Sequence, residues 1–146
     1  MIRTPRAFVD TNLLVYAHAE GEGEGEPRAA RARSVLRGLW QDHTGALSTQ
    51  VLQEFYVVAT RKASVPVAPA LARSLVTSYS SWCHVISDAT LIVAAGKLAE
   101  QHRISFWDAL IIEAALRSSA TRLLSVDLQH GRQFGDVLVE NPFLAA

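Results

Sequence analysis

The chain has 146 residues, 49% of them hydrophobic, with 14 basic and 14 acidic side chains and a formal net charge of +0. That length and apolar content suit one domain with a real core rather than a disordered segment, and no apolar run reaches the roughly 18 residues of a membrane span. The single cysteine, Cys83, excludes an internal disulfide framework and a multi-cysteine zinc site. The opening "MIRTPRAFVD" has too short an apolar run and too early a charge for a secretory signal, so a soluble cytoplasmic protein with no membrane partner is expected. The balanced charge offers no bulk field for a polyanion, although arginine supplies all the positive charge except Lys62 and Lys97.

In chain order, "RAFV" (6–9) reads as a strand and "TNLLVYAHA" as a helix. The stretch "EGEGEGEP" at about 20–27 reads as a flexible acidic loop within a single domain covering 1–146. "PRAARARSVLRGLWQ" is a second helix, with Pro27 suited to its first turn. "GALS" is a strand and "TQVLQEFYVVATRK" a third helix; after the proline-broken "ASVPVAP" comes the helix "ALARSLVTSYSSW". "HVIS" is a strand, and "DATLIVAAGKLAEQH" a helix with Asp88 as its N-cap. "SFWDALIIEAALRSSA" is a last helix, followed by the strands "RLLSV" and "VLVENPF". Strands alternating with helices predict an α/β domain with a largely parallel sheet, whose sites form beyond the C-terminal strand ends.

Acidic residues stand at those ends. Asp10 closes the first strand and Asp127 follows "RLLSV", so both share one rim if the two strands are neighbours. Each also has a structural reading: Asp10 caps the helix from Thr11, and Asp127 starts a turn. In the third helix Glu54 falls within the stripe Val51, Phe55, Val58, with Gln50 one turn earlier. Asp108 lies on the apolar side of its helix, although Ser105 three residues before it also forms a capping box there. Glu113, with Arg117 at i+4, and Glu100, with Lys97 at i−3, read as surface pairs. Carboxylates converging at one end of a sheet cannot all stay ionised without a cation. An all-oxygen donor set favours Mg²⁺ or Mn²⁺ over zinc, a device for phosphoryl-oxygen chemistry.

Four segments in order, "FVDTNLLVYA", "LSTQVLQEF", "SFWDALIIEAA" and "LLSVDLQHG", resemble the PIN domain, especially the VapC-type toxins of bacterial toxin–antitoxin pairs. The resemblance covers nearly the whole chain. It implies a three-layer α/β/α sandwich around a mostly parallel five-stranded sheet. It implies a Mg²⁺- or Mn²⁺-dependent endoribonuclease in which water attacks RNA phosphodiesters, leaving a 5′-phosphate and a 3′-hydroxyl. Asp10, Glu54, Asp108 and Asp127 match the catalytic and metal-binding quartet; Asn12, Ser125, Ser48 and Gln50 match supporting polar positions. It further implies a homodimer held inactive by a cognate antitoxin that inserts into the groove. The lengthened acidic loop departs from the family pattern and leaves substrate choice open.

Arg28, Arg31 and Arg33, with Arg37 after them, give the second helix a basic face for RNA phosphates, an antitoxin's acidic tail or simply solvent. Trp40, Trp82 and Trp107 read as core or interface anchors, and Cys83 as a small buried hydrophobe. The alternatives to a toxin ribonuclease are a housekeeping RNA-processing nuclease, a metal-dependent phosphatase, or a non-catalytic RNA- or protein-binding module. Asn12 occupies the place where an aspartyl-nucleophile phosphatase usually carries its second Asp.

Overall fold

A computed structural model describes residues 5–19, 26–63 and 65–144. The acidic loop expected at about 20–27 lies outside them except for its last two positions. The described chain forms six strands and six α-helices: β1 (Arg6–Val9), α1 (Thr11–His18), α2 (Glu26–Asp42), β2 (Gly45–Ser48), α3 (Thr49–Val57), α4 (Pro69–Tyr79), β3 (Cys83–Val85), α5 (Ala89–His102), α6 (Phe106–Arg117), β4 (Ala120–Leu124), β5 (Gln133–Phe134) and β6 (Val137–Glu140). The strands make one sheet in the order β3-β2-β1-β4-β6-β5. Every pairing is parallel except β5 with β6. The expected parallel strands are therefore all present, and β5 is an added antiparallel edge. Gly135, at φ 57°, turns the short β5–β6 hairpin in a conformation that glycine adopts without steric cost.

Parallel strands are covered on both faces, which is why the central ones read as continuous apolar runs. Phe8, Val9, Leu47 and Leu123 are wholly buried. Helix α6 packs on β2, β3, β4 and β6 with α5 against it, while α1 packs with α2 and α3, and α4 with α3. The sheet is thus flanked by helices, as the alternation predicts. Trp40, Tyr79 and Trp82 cluster with ring centroids 4.4–5.3 Å apart. Gly45 opens β2 because a Cβ there would collide with the Trp82 indole.

Several boundaries differ for local reasons. Ala120 begins β4 instead of ending α6, because Ser119 at φ 58° reverses the chain first. The β3 strand stops at Val85, and Ile86 beyond it is 72% exposed. Trp107 is 65% exposed, so it is a surface residue and no core anchor. Cys83 is only half-buried. The third helix ends in a wide π turn over Val58–Lys62, closed by Ala63 N–H donating to the Val58 carbonyl at 2.9 Å. No described helix is long and apolar enough to cross a membrane.

Candidate functional site

Strand order sets the site. β1 and β4 are parallel neighbours, so Asp10 and Asp127 leave the sheet at the same edge, and the Asp10 N–H donates to the Leu124 carbonyl at 3.0 Å. Asp10 is the N-cap of α1, its Oδ1 accepting from Thr11 N–H at 2.8 Å. The structural reading of Asp10 is therefore correct, yet it does not use up the side chain. Its Oδ2 accepts from the Ser125 hydroxyl at 2.8 Å, and the residue is only 8% exposed. Burial pushes its pKa up to about 6, the hydrogen bonds from Ser125 and Thr11 opposing this and the charges of Glu54 and Asp127 adding to it.

The neighbouring acids are tied to Asp10 through the residues that follow it. Thr11 Oγ1 donates to Glu54 Oε2 at 2.9 Å, and Gln50 Nε2 donates to Glu54 Oε1 at 2.9 Å. Asn12 Nδ2 donates to Asp127 Oδ2 at 2.6 Å. The Ser125 oxygen accepts from the Asp127 and Leu128 N–H groups at 3.2 and 3.3 Å, holding the Asp127 turn against Asp10. The D-T-N triplet thus spends one residue on each acid, while Asp10 itself starts the helix. Helical phase read from sequence is right for Glu54 and Gln50: Val51 and Phe55 are fully buried beside them. Ser48 is also buried, but it caps α3, accepting from Val51 N–H at 3.5 Å, and acts on the helix more than on the pocket.

Asp10, Glu54 and Asp127 open into a pocket of about 450 Å³ also lined by Thr11, Asn12, Gln53, Val57, Val58 and Lys62. Lys62 escaped the sequence reading. In a straight α-helix it would sit about 80° round from Glu54, eight residues earlier. The π turn absorbs one residue and returns Lys62 to within roughly 20° of that face. A cation eight residues along from an inward acid was visible in the sequence; the wide turn that brings it to the same face was not.

Asp108 stands apart. Ser105 caps α6 by accepting from the Asp108 N–H at 3.0 Å, but the reciprocal bond of a capping box, from Ser105 N–H to the Asp108 carboxylate, is not made. Its half-buried carboxylate has no hydrogen bond or ion pair with any described residue and does not line the pocket. Because α6 runs back along the sheet into β4, its first turn nevertheless lies at the same strand-end rim. Among the described residues, no three His, Cys, Asp or Glu side chains stand close enough to hold a metal ion as they are arranged here. The donor chemistry nonetheless suits a hard cation: a buried carboxylate facing two further carboxylates, with only oxygen ligands at hand.

The basic residues fall beside this pocket. Arg28 Nη1 donates to Tyr16 Oη at 3.2 Å, and its guanidinium lies 5.9 Å from the Tyr16 ring centre and 5.6 Å from that of Phe143. Arg31 Nε donates to the Pro142 carbonyl at 3.2 Å, and Arg33 Nη1 donates to the Ala17 carbonyl at 3.4 Å. Arg28 and Arg31 line a cleft of about 530 Å³ that shares Asp127 with the acid pocket. His130 accepts at Nδ1 from the Asn141 N–H at 2.9 Å and joins no acid cluster.

Of the curated proteins, none matches this chain. Among solved structures it is similar to a toxin–antitoxin complex from Klebsiella pneumoniae, at 16% identity and TM-score 0.65 over 93% of this chain and 97% of that one. It is also similar to VapBC2 from Rickettsia felis bound to a DNA fragment from their promoter, at 21% identity and TM-score 0.60 over 92% and 97% of the two chains. At those identities the likeness is one of fold. The PIN domain profile matches residues 7–133, taking in Asp10, Glu54, Asp108 and Asp127, and the chain belongs to the PIN domain family.

Proposed function

We propose that this PIN domain is a Mg²⁺- or Mn²⁺-dependent endoribonuclease and the toxin of a toxin–antitoxin pair. The observation that carries the proposal is Asp10: a buried carboxylate, hydrogen-bonded through Ser125 to the Asp127 turn and facing Glu54 across Thr11. PIN domains are generally nucleases, and two similar structures come from toxin–antitoxin complexes, one of them VapBC2. Asp10, Glu54 and Asp127 would hold the cation, with Asp108 completing the set from the first turn of α6. When bound, a divalent ion polarises a phosphate oxygen and lowers the pKa of water.

The chain's own residues prepare that chemistry. Ser125 and the Thr11 N–H hold both Asp10 oxygens in fixed directions, so little reorganisation is needed when charge develops. Thr11 and Gln50 orient Glu54, and Asn12 orients Asp127, each by donating to one carboxylate oxygen. Lys62 supplies a positive charge at the pocket wall for a phosphate oxygen of the substrate. As a toxin the protein would act on cytoplasmic RNA, as a homodimer, under control of a cognate antitoxin.

The test is cleavage of a labelled single-stranded RNA with Mn²⁺, beside a generic phosphomonoester. Cleavage of RNA alone, leaving 5′-phosphate ends and abolished by Asp10→Asn, is expected. Hydrolysis of the phosphomonoester with RNA intact would make the protein a phosphatase. Growth arrest on inducing the wild type but not Asp10→Asn separates a toxin from a housekeeping nuclease, which would be harmless.

A further inference from the structure

The cleft beside Asp127 brings Arg28 and Arg31 together with the rings of Tyr16 and Phe143. Arg28 is held by two aromatic side chains: it donates to Tyr16 Oη, and its guanidinium lies within 6 Å of the ring centres of both Tyr16 and Phe143, whose rings meet edge to face at 5.1 Å. Arg31 is pinned through Nε to the Pro142 carbonyl, which leaves its two terminal nitrogens without a hydrogen bond to any described residue. Neither arginine has an ion pair with a described carboxylate. Two exposed guanidiniums with no ion pair to a described carboxylate, one against aromatic rings and one with its terminal nitrogens unused by described residues, match a base and a phosphate respectively.

We propose that this cleft is the subsite for the single-stranded RNA nucleotide next to the scissile phosphate, with Arg31 on its phosphate and the Arg28 guanidinium, held by Tyr16 and Phe143, against its base. The inference rests on the nuclease reading and names how substrate is held. Location favours RNA over a protein partner. Asp127 is a wall of both the cleft and the acid pocket, so a strand whose phosphate reaches the carboxylates passes its neighbouring nucleotide over Arg28 and Arg31. The cleft volume of about 530 Å³ lies in the range that encloses a small organic group. Arg28 and Arg31 are on one helix, three residues apart, so α2 fixes their relative position before substrate arrives.

The experiment measures binding of a fluorescent single-stranded RNA to the full chain in EDTA, where cleavage does not intervene, and then KM and kcat with Mn²⁺. Arg28→Gln with Arg31→Gln should weaken RNA binding by about tenfold or more and lower the salt slope by roughly 1 to 2. KM should rise while kcat changes little. Arg28→Lys with Arg31→Lys should keep the salt slope yet still lose affinity, because the stacking plane is gone. Lys97→Gln, on α5, serves as a charge control and should match wild type. RNA affinity unchanged in the double Gln variant would overturn the proposal, and so would unchanged RNA affinity with loss of antitoxin binding, which would give the cleft to protein. Weakened RNA binding in a chain that cuts no RNA would leave the subsite standing and remove the nuclease reading.

Discussion

Asp10 and Asp108 both stand at the starts of helices and end in different surroundings. Each stands at the start of a helix at the C-terminal rim of the sheet: Asp10 is the N-cap of α1, and Asp108 sits in the first turn of α6, capped by Ser105. Around Asp10 the chain has built a second layer, in which Ser125, Thr11 and Asn12 link three acids from β1, α3 and the turn after β4. Around Asp108 it has built nothing beyond the cap. A helix cap and a functional carboxylate are therefore not competing readings. What separates the two acids is whether a carboxylate oxygen has been given a buried partner beyond the helix, as Asp10 has in Ser125.

The largest expected effect breaks the comparison on the Asp10 side. Asp10→Asn should lower Mn²⁺-dependent RNA cleavage by about 10³-fold or more, the scale of losing a preorganised charge at the reacting centre. A variant retaining wild-type activity in a cleavage assay would remove Asp10 from the chemistry. Asp108→Asn is the sharper probe, because its carboxylate is unattached. A fall of about 10²-fold at unchanged melting temperature would mean that Asp108 joins the site when cation or substrate arrives. Full activity would confine Asp108 to the start of α6.

Smaller effects follow from the pocket's edges. Lys62→Gln should raise KM for RNA by roughly tenfold, the loss of one charge-assisted contact. Deleting one residue of the π turn, which leaves the lysine seven positions after Glu54 in a straight helix, should keep it on the pocket face and leave KM near wild type. Glu54→Gln should reduce the melting-temperature gain on adding Mn²⁺, whereas Glu113→Gln, which only loosens the 3.4 Å pair with Arg117, should leave that gain intact. Equal responses in thermal melts would contradict the inward assignment of Glu54.

The pH dependence of stability is the mildest test. The Asp10 carboxyl is raised from 3.8 to about 6, first by burial, so the folded state holds its proton more tightly than the unfolded chain. Its contribution is fully present below pH 3.8 and is lost as pH rises through about 6. The fall is at most roughly 3 kcal/mol across that window. Denaturant melts of metal-free protein should show it, and Asp10→Asn should flatten it and be the more stable form above pH 6. A variant less stable than wild type at pH 8 would mean that the cap outweighs the buried charge.

Most of the fold was legible because its signals are local: apolar runs for the covered parallel strands, and Asp88 and Ser105 before helices they do cap. The pairing of Glu54 with Gln50 was legible from helical phase alone. Other features depend on three-dimensional packing or on backbone excursions that composition does not encode. The π turn that turns Lys62 into the pocket, the positive-φ Ser119 that ends α6 early, and the short β5 edge are of that kind. The roles of Thr11 and Ser125 needed the neighbouring placement of β1 and β4, because each donates to an acid more than 40 residues away. The arginine run could be seen in sequence, but only the fold sets Tyr16 and Phe143 beneath Arg28.

The most direct test of the acid pocket is a calorimetric titration of metal-free protein with Mn²⁺ at pH 8, on wild type and on Asp10→Asn. The proposed cation site of Asp10, Glu54 and Asp127 predicts saturable binding in the wild type that Asp10→Asn abolishes while keeping its fold. Equal Mn²⁺ affinity in both proteins would contradict it.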